Sequence, residues 1–97
     1  MIRFKIEPDD VLISYDPDAH AMYVQVRQAR VAKTQDLGNE VHVDLDSHGD
    51  LIGIEVISPR KVSLNLQTVI QRLARQYHVP ALAKLRLNQV PRVLATA

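Results

Sequence analysis

Between Val41 and Ile57 the chain reads VHVDLDSHGDLIGIEVI. Val41, Val43 and Leu45 alternate with His42, Asp44 and Asp46, and Ile52, Ile54 and Val56 alternate with Gly53 and Glu55 on the far side of Ser47, His48, Gly49 and Asp50. A period of two on both flanks of a glycine-bearing turn predicts a β-hairpin with one buried face, Gly49 taking the positive φ. The same residues space acidic groups at Asp44, Asp46, Asp50 and Glu55, as a calcium-binding EF-hand loop does. Such a loop needs a helix on each side, and these flanks are rich in β-branched residues, so the hairpin is the expectation and a cation on the turn the lesser one.

Upstream, Ile2, Phe4 and Ile6 alternate with Arg3 and Lys5 in a first strand closed by Pro8. A second strand from Val11 to Tyr15 leads into Asp16-Pro17-Asp18, where Pro17 presets φ and Asp16 can accept from the backbone two residues on. Ala21 to Arg27 follows, with Met22, Val24 and Val26 on one face and Tyr23, Gln25 and Arg27 on the other. Val31 to Asp36 is a weaker extended piece, ended by the Leu37-Gly38-Asn39 turn. Connections this short favour antiparallel neighbours, so the prediction is a serial meander of about five short strands.

After Ser58-Pro59 the period changes. Leu66, Val69, Ile70, Leu73 and Tyr77 form one stripe of a helix, with Asn65 or Ser63 as N-cap and Gln67, Gln71, Arg72, Arg75 and Gln76 on the other face. His78-Val79-Pro80 ends it, and Pro80 suits the first position of a second helical segment through Leu87, although Ala83 to Val90 also alternates like a strand. The fold class expected is α+β: one domain spanning residues 1–97, an antiparallel β-meander packed against a C-terminal helix.

Charge changes this picture. Residues 1–55 hold 5 basic and 11 acidic side chains, a balance of −6, while residues 56–97 hold 7 basic and no acidic ones. Asp44, Asp46 and Glu55 concentrate negative charge on the polar side of the hairpin, where a basic tail could be received. Arg60, Lys61, Arg72, Arg75, Lys84, Arg86 and Arg92 could instead meet a partner or phosphates. The binding candidates are Arg72, Arg75, Lys84 and Arg86. Nucleic acid is the lesser expectation, because no stacking aromatics or helix-turn-helix turn accompany them.

Catalytic chemistry finds little to work with. The chain has no cysteine, and Ser14, Ser47, Ser58 and Ser63 lack a nucleophile elbow. His20, His42, His48 and His78 have no ligand-spaced neighbour, and the sharpest pairing among them is His42 with Asp44, two residues apart on one strand face. No catalytic residue, metal ligand or cofactor is predicted. No apolar run reaches the ~20 residues of a membrane span, and Arg3, Lys5, Glu7, Asp9 and Asp10 interrupt any signal-peptide core, so a cytoplasmic, membrane-free location is expected. Open sheet edges and complementary charged halves lead to the expectation of a homodimer.

The segment ISYDPDAHAMYVQV, then Thr34, then VHVDLDSHGDLIGIEVI, resembles a family of short prokaryotic proteins known mainly as an uncharacterised domain. The resemblance covers about Ile13 to Ile57 and rests on Tyr15, Asp16, Pro17, Ala21, Tyr23, Thr34, Val43, Asp44, Asp46, Gly49, Gly53, Ile54 and Glu55, with His20 standing where the family has Asp. It implies a small β-rich fold and, because such proteins are often encoded beside toxins, an antitoxin role with a protein partner encoded nearby. The expected role is a non-enzymatic protein-interaction module; the alternative is an antitoxin-like regulator that also contacts DNA through its basic C-terminal segment.

Overall fold

The computed structural model describes residues 2–6, 11–38, 40–57 and 64–84. Six strands, β1 (Ile2–Ile6), β2 (Val11–Asp16), β3 (Ala21–Gln25), β4 (Lys33–Asp36), β5 (Val41–Leu45) and β6 (Leu51–Ile57), form one antiparallel sheet. Helices α1 (Leu64–Gln76) and α2 (Pro80–Ala83) follow. The α+β class and the C-terminal helix are as the hydrophobic periods predict.

The order across the sheet is β1-β2-β3-β6-β5-β4, which corrects the serial meander. Two meanders, β1 to β3 and β4 to β6, meet along β3 and β6. After Gln25 the chain crosses to the far edge and builds the second meander inward. The weak extended piece is therefore a true edge strand, and all four of its side chains are exposed.

The two halves repeat one another at a spacing of 30 residues. Val11, Ile13, Asp16, Met22, Val24 and Val26 have counterparts in Val41, Val43, Asp46, Ile52, Ile54 and Val56. The register obeys the same rule: Val24 pairs with Ile54, its own counterpart, while Tyr23 pairs with Glu55 and Gln25 with Gly53. That is a pseudo-two-fold axis normal to the sheet through the Val24–Ile54 pair. Both turns use the aspartate that the two halves share in the same way. Asp16 Oδ1 accepts from the N–H of Asp18 at 3.0 Å, and Asp46 Oδ1 from those of His48 at 2.8 Å and Asp50 at 2.9 Å. Gly49 has φ +82°, the left-handed value that a hairpin turn at this point requires.

Side chains on one face of the sheet, among them Val11, Ile13, Tyr15, Met22, Val24, Val41, Val43, Ile54 and Val56, share a single core with Ile70, Leu73, Ala74 and Leu82 of the helices. Residues 64–84 therefore cover the apolar face, and among the described residues no element lies over the other face of the sheet. Val69 and Tyr77 pack against this core half-buried, so Val69, Ile70, Leu73 and Tyr77 of the predicted stripe are docked, while the side chain of Leu66 lies outside what the structure describes. The helix begins at Leu64, which places Asn65 inside it and removes that residue as N-cap; Ser63, Arg86 and the choice between helix and strand beyond Lys84 lie outside the described residues. Pro80 does open α2.

One departure from strict alternation matters. Leu51, Ile52, Gly53 and Ile54 are all buried in sequence. A bulge shifts the register beside Asp44 and Leu45, so that Leu45 pairs with Leu51 and Ile52 is displaced relative to the partner strand. Gly53 is buried for a different reason, which belongs to the open face.

Candidate functional site

Strand alternation puts Tyr23 on β3, Gly53 and Glu55 on β6, His42 and Asp44 on β5, and Thr34 and Asp36 on β4, all on the face opposite the helices. Register brings them level: Tyr23 beside Glu55, Glu55 beside His42, Asp44 between Gly53 and Thr34, His42 beside Asp36. The Tyr23 ring lies over Gly53, so closely that a β-carbon there would sit 2.5 Å from Cε1 and nearer still to Cζ and the hydroxyl. Gly53 is thus a clearance. Through it the Tyr23 hydroxyl donates to Asp44 Oδ2 at 2.8 Å, and Thr34 Oγ1 donates to Asp44 Oδ1 at 2.6 Å.

A single chain of hydrogen bonds therefore runs from β3 across β6 to β5 and on to β4. Both Asp44 oxygens are engaged, and bonds to an ionised acceptor are the strong kind. Partial burial, with the hydrogen bond to Asp44 and the negative charges of Asp44 and Glu55 behind it, pushes the Tyr23 phenol well above its ordinary value of 10.0. Such a tyrosine keeps its proton and serves as a fixed donor.

A second group lies alongside. His42 Nε2 is 3.8 Å from Asp36 Oδ1 and His42 Nδ1 is 3.6 Å from Glu55 Oε1, contacts too long for hydrogen bonds. His42 Nδ1 is buried without a hydrogen-bond partner, whereas the Asp36 and Glu55 side chains are 71% and 45% exposed. This corrects the pairing of His42 with Asp44: they share a face, but Asp44 is taken by two hydroxyls and the imidazole leans between the other carboxylates.

Asp46, the third member of the predicted acidic face, acts in the turn. Its carboxyl is lowered from 3.8 to about 2, first by the Asp50 backbone N–H, against which burial works, and then by Arg27 and the His48 N–H. Arg27 pairs with Asp46 Oδ2 and donates from Nε to the Leu51 carbonyl at 3.2 Å. The flanks of this loop are strands, which excludes the helix–loop–helix form of an EF-hand. Among the described residues, no group of three or more His, Asp and Glu side chains is disposed to hold a metal ion.

The basic candidates lie elsewhere. Arg72 and Arg75 are exposed on α1 and Lys84 follows α2, in the layer behind the sheet, so the structure does not bring them onto Asp44 or Glu55. Lys84 and Arg27 border a groove of about 610 Å³ floored by Val11, Val26 and Val79. This groove opens beside the helices, away from the Tyr23–Asp44 chain. No described helix is long and apolar enough to cross a membrane.

Sequence reasoning placed Tyr23, Asp44 and Glu55 on the polar face but missed Thr34 and Gly53 as working parts of the site. The signal was present, since both stand in the pattern that carries the family resemblance; what was missing was the strand order that sets them side by side. No curated protein and no solved structure matches the chain. Residues 12–58 match the model of the family described as proteins of unknown function, DUF2283; the matched stretch runs from β2 to β6, and the hydrogen-bonded face lies wholly within it.

Proposed function

We propose that the protein is a non-enzymatic interaction module whose open sheet face receives a cationic segment of a protein partner. The observation that carries this reading is the separation of charge between layers. Among the described residues, the one ion pair between an arginine or lysine and a carboxylate is Arg27–Asp46. Among the same described residues, Asp36 and Glu55 on the sheet face, and Arg72, Arg75 and Lys84 on the helical layer, take part in no such pair. The Tyr23–Asp44–Thr34 chain supports the role differently: it fixes four strands laterally, so Asp36, His42 and Glu55 stand on a rigid platform, and preorganised groups bind at lower entropic cost. A catalytic role has less to draw on, because both Asp44 oxygens are committed and the Tyr23 phenol is pushed out of the range useful to an acid or base.

The test is a titration of the isotope-labelled protein with a synthetic Lys/Arg-rich peptide, followed by amide chemical shifts at low and at physiological salt. Shifts centred on Asp36, His42 and Glu55 that weaken with salt, and that vanish in the folded Asp36→Asn/Glu55→Gln double variant, are expected. Absence of shifts on this face overturns the proposal. The antitoxin-like alternative keeps one supporting observation, the exposed Arg72–Arg75 pair one helical turn apart. Duplex DNA that shifts Arg72, Arg75 and Lys84 with a steep salt dependence would favour it.

A further inference from the structure

We infer that β4 is a dimerisation edge, on which two copies of this chain pair antiparallel about a two-fold axis at Thr34. This interface does not depend on what the open face binds. Among the described residues β4 is hydrogen-bonded to β5 and to no other strand. The Leu37 N–H donates inward to the Val41 carbonyl at 2.9 Å, so by alternation the peptide groups of Gln35 also face β5, while those of Thr34 and Asp36 face outward. Such a row of outward groups is a template for another strand.

The side chains select the second strand and its register. Val31 and Leu37, 45% and 40% exposed, are the large apolar side chains that stand exposed among the described residues. They flank β4 and lie three residues to either side of Thr34. A two-fold axis normal to the sheet keeps each residue on its own face, so the strand can centre only on a residue paired with itself. Centring on Lys33 opposes two lysines, and centring on Asp36 opposes two aspartates, both unfavourable. Centring on Gln35 sets Leu37 against Lys33 of the partner subunit. Centring on Thr34 sets Lys33 opposite Gln35 with no like charges directly opposed, and brings Val31 and Leu37, just outside the ends of the strand, to the same two ends of the paired edge. It also pairs the outward peptide groups of Thr34 with their own copies.

This register has a consequence for the open face. Thr34 is the last member of the Tyr23–Asp44–Thr34 chain, so the two chains meet across the axis and the two faces become one continuous surface. About seven residues a side is well short of the roughly 20–30 of a stable interface, so the association is weak and reversible.

Sedimentation equilibrium from micromolar to millimolar protein tests it. The expected mass climbs from 10.9 kDa towards twice that value, and Val31→Arg and Leu37→Arg hold it at the monomer while leaving the circular dichroism unchanged. Because the chain has no cysteine, Thr34→Cys supplies an independent reading of the register: it should cross-link to itself under mild oxidation, whereas Lys33→Cys should not. A mass that stays at 10.9 kDa at millimolar concentration, a dimer that survives both arginine variants, or faster cross-linking at position 33 than at 34 would overturn the inference.

Discussion

Adding one methyl group at Gly53 should be among the most damaging small changes on the open face, although a glycine in a strand is ordinarily a weakness that alanine repairs. The β-carbon would occupy the place of the Tyr23 ring and hydroxyl, so the ring must swing away. It then gives up its hydrogen bond to Asp44, a bond to a charged acceptor worth about 1.5–3 kcal/mol. It also re-exposes roughly half of a side chain that covers about 150–250 Å², which at ~25 cal/mol per Å² adds about 2 kcal/mol. Against this stands the gain of about 0.5–1 kcal/mol from replacing glycine in a strand. The expected net cost of Gly53→Ala is about 2.5–4.5 kcal/mol, a large part of the stability of so small a domain. Urea unfolding of a double-mutant cycle isolates the cause. In a Tyr23→Val background there is no ring to displace, and Gly53→Ala should be neutral or mildly stabilising. If Gly53→Ala costs the same in both backgrounds, within the ~0.5 kcal/mol error of additivity, the clearance argument is wrong.

Leu73 is buried in the core under α1, so Leu73→Ala should cost ~2–5 kcal/mol while the exposed neighbour Gln71→Ala costs little; comparable small effects in urea titrations would mean that the helix is not docked on this stripe. At the β5–β6 turn, Gly49→Val should lower the thermal midpoint more than Gly49→Asn, because a β-branched residue resists φ +82° and asparagine tolerates it. Asp46 has a depressed carboxyl, so its contribution is complete above the ordinary value of 3.8 and is lost as pH falls through about 2; Asp46→Asn should flatten that part of the acid unfolding curve, and an unchanged slope there would refute its role in the turn. Tyr23 is shifted the other way: its contribution is complete below pH 10 and fades as pH rises further, so a spectrophotometric titration should show a tyrosine that resists ionisation above that pH and is absent in Tyr23→Phe.

Local pattern was enough for the elements of this protein. A period of two gave the hairpin strands, the change of period after Ile57 gave α1 and its buried stripe, and the Asp16 and Gly49 turns follow from the φ preferences and short side chains of the residues in them. These are properties of neighbours along the chain. The 30-residue repeat was also written there, in Val11 to Val26 against Val41 to Val56, but with three identities in sixteen positions it is read with assurance only through the Val24–Ile54 register. The order β1-β2-β3-β6-β5-β4 was a matter for tertiary structure, because alternation says which face a strand buries and nothing about which edge it joins. The open face depends on that order. Tyr23 reaches Asp44 because β6 lies between their strands and carries glycine at the crossing point, and Thr34 closes the chain because β4 pairs with β5. The repeat itself supplies a near-symmetric platform. Tyr23 and Ser14 in one half, against Gly53 and Asp44 in the other, are where the halves differ, and a hydrogen bond from one half into the other exists only once the sheet has set those positions side by side.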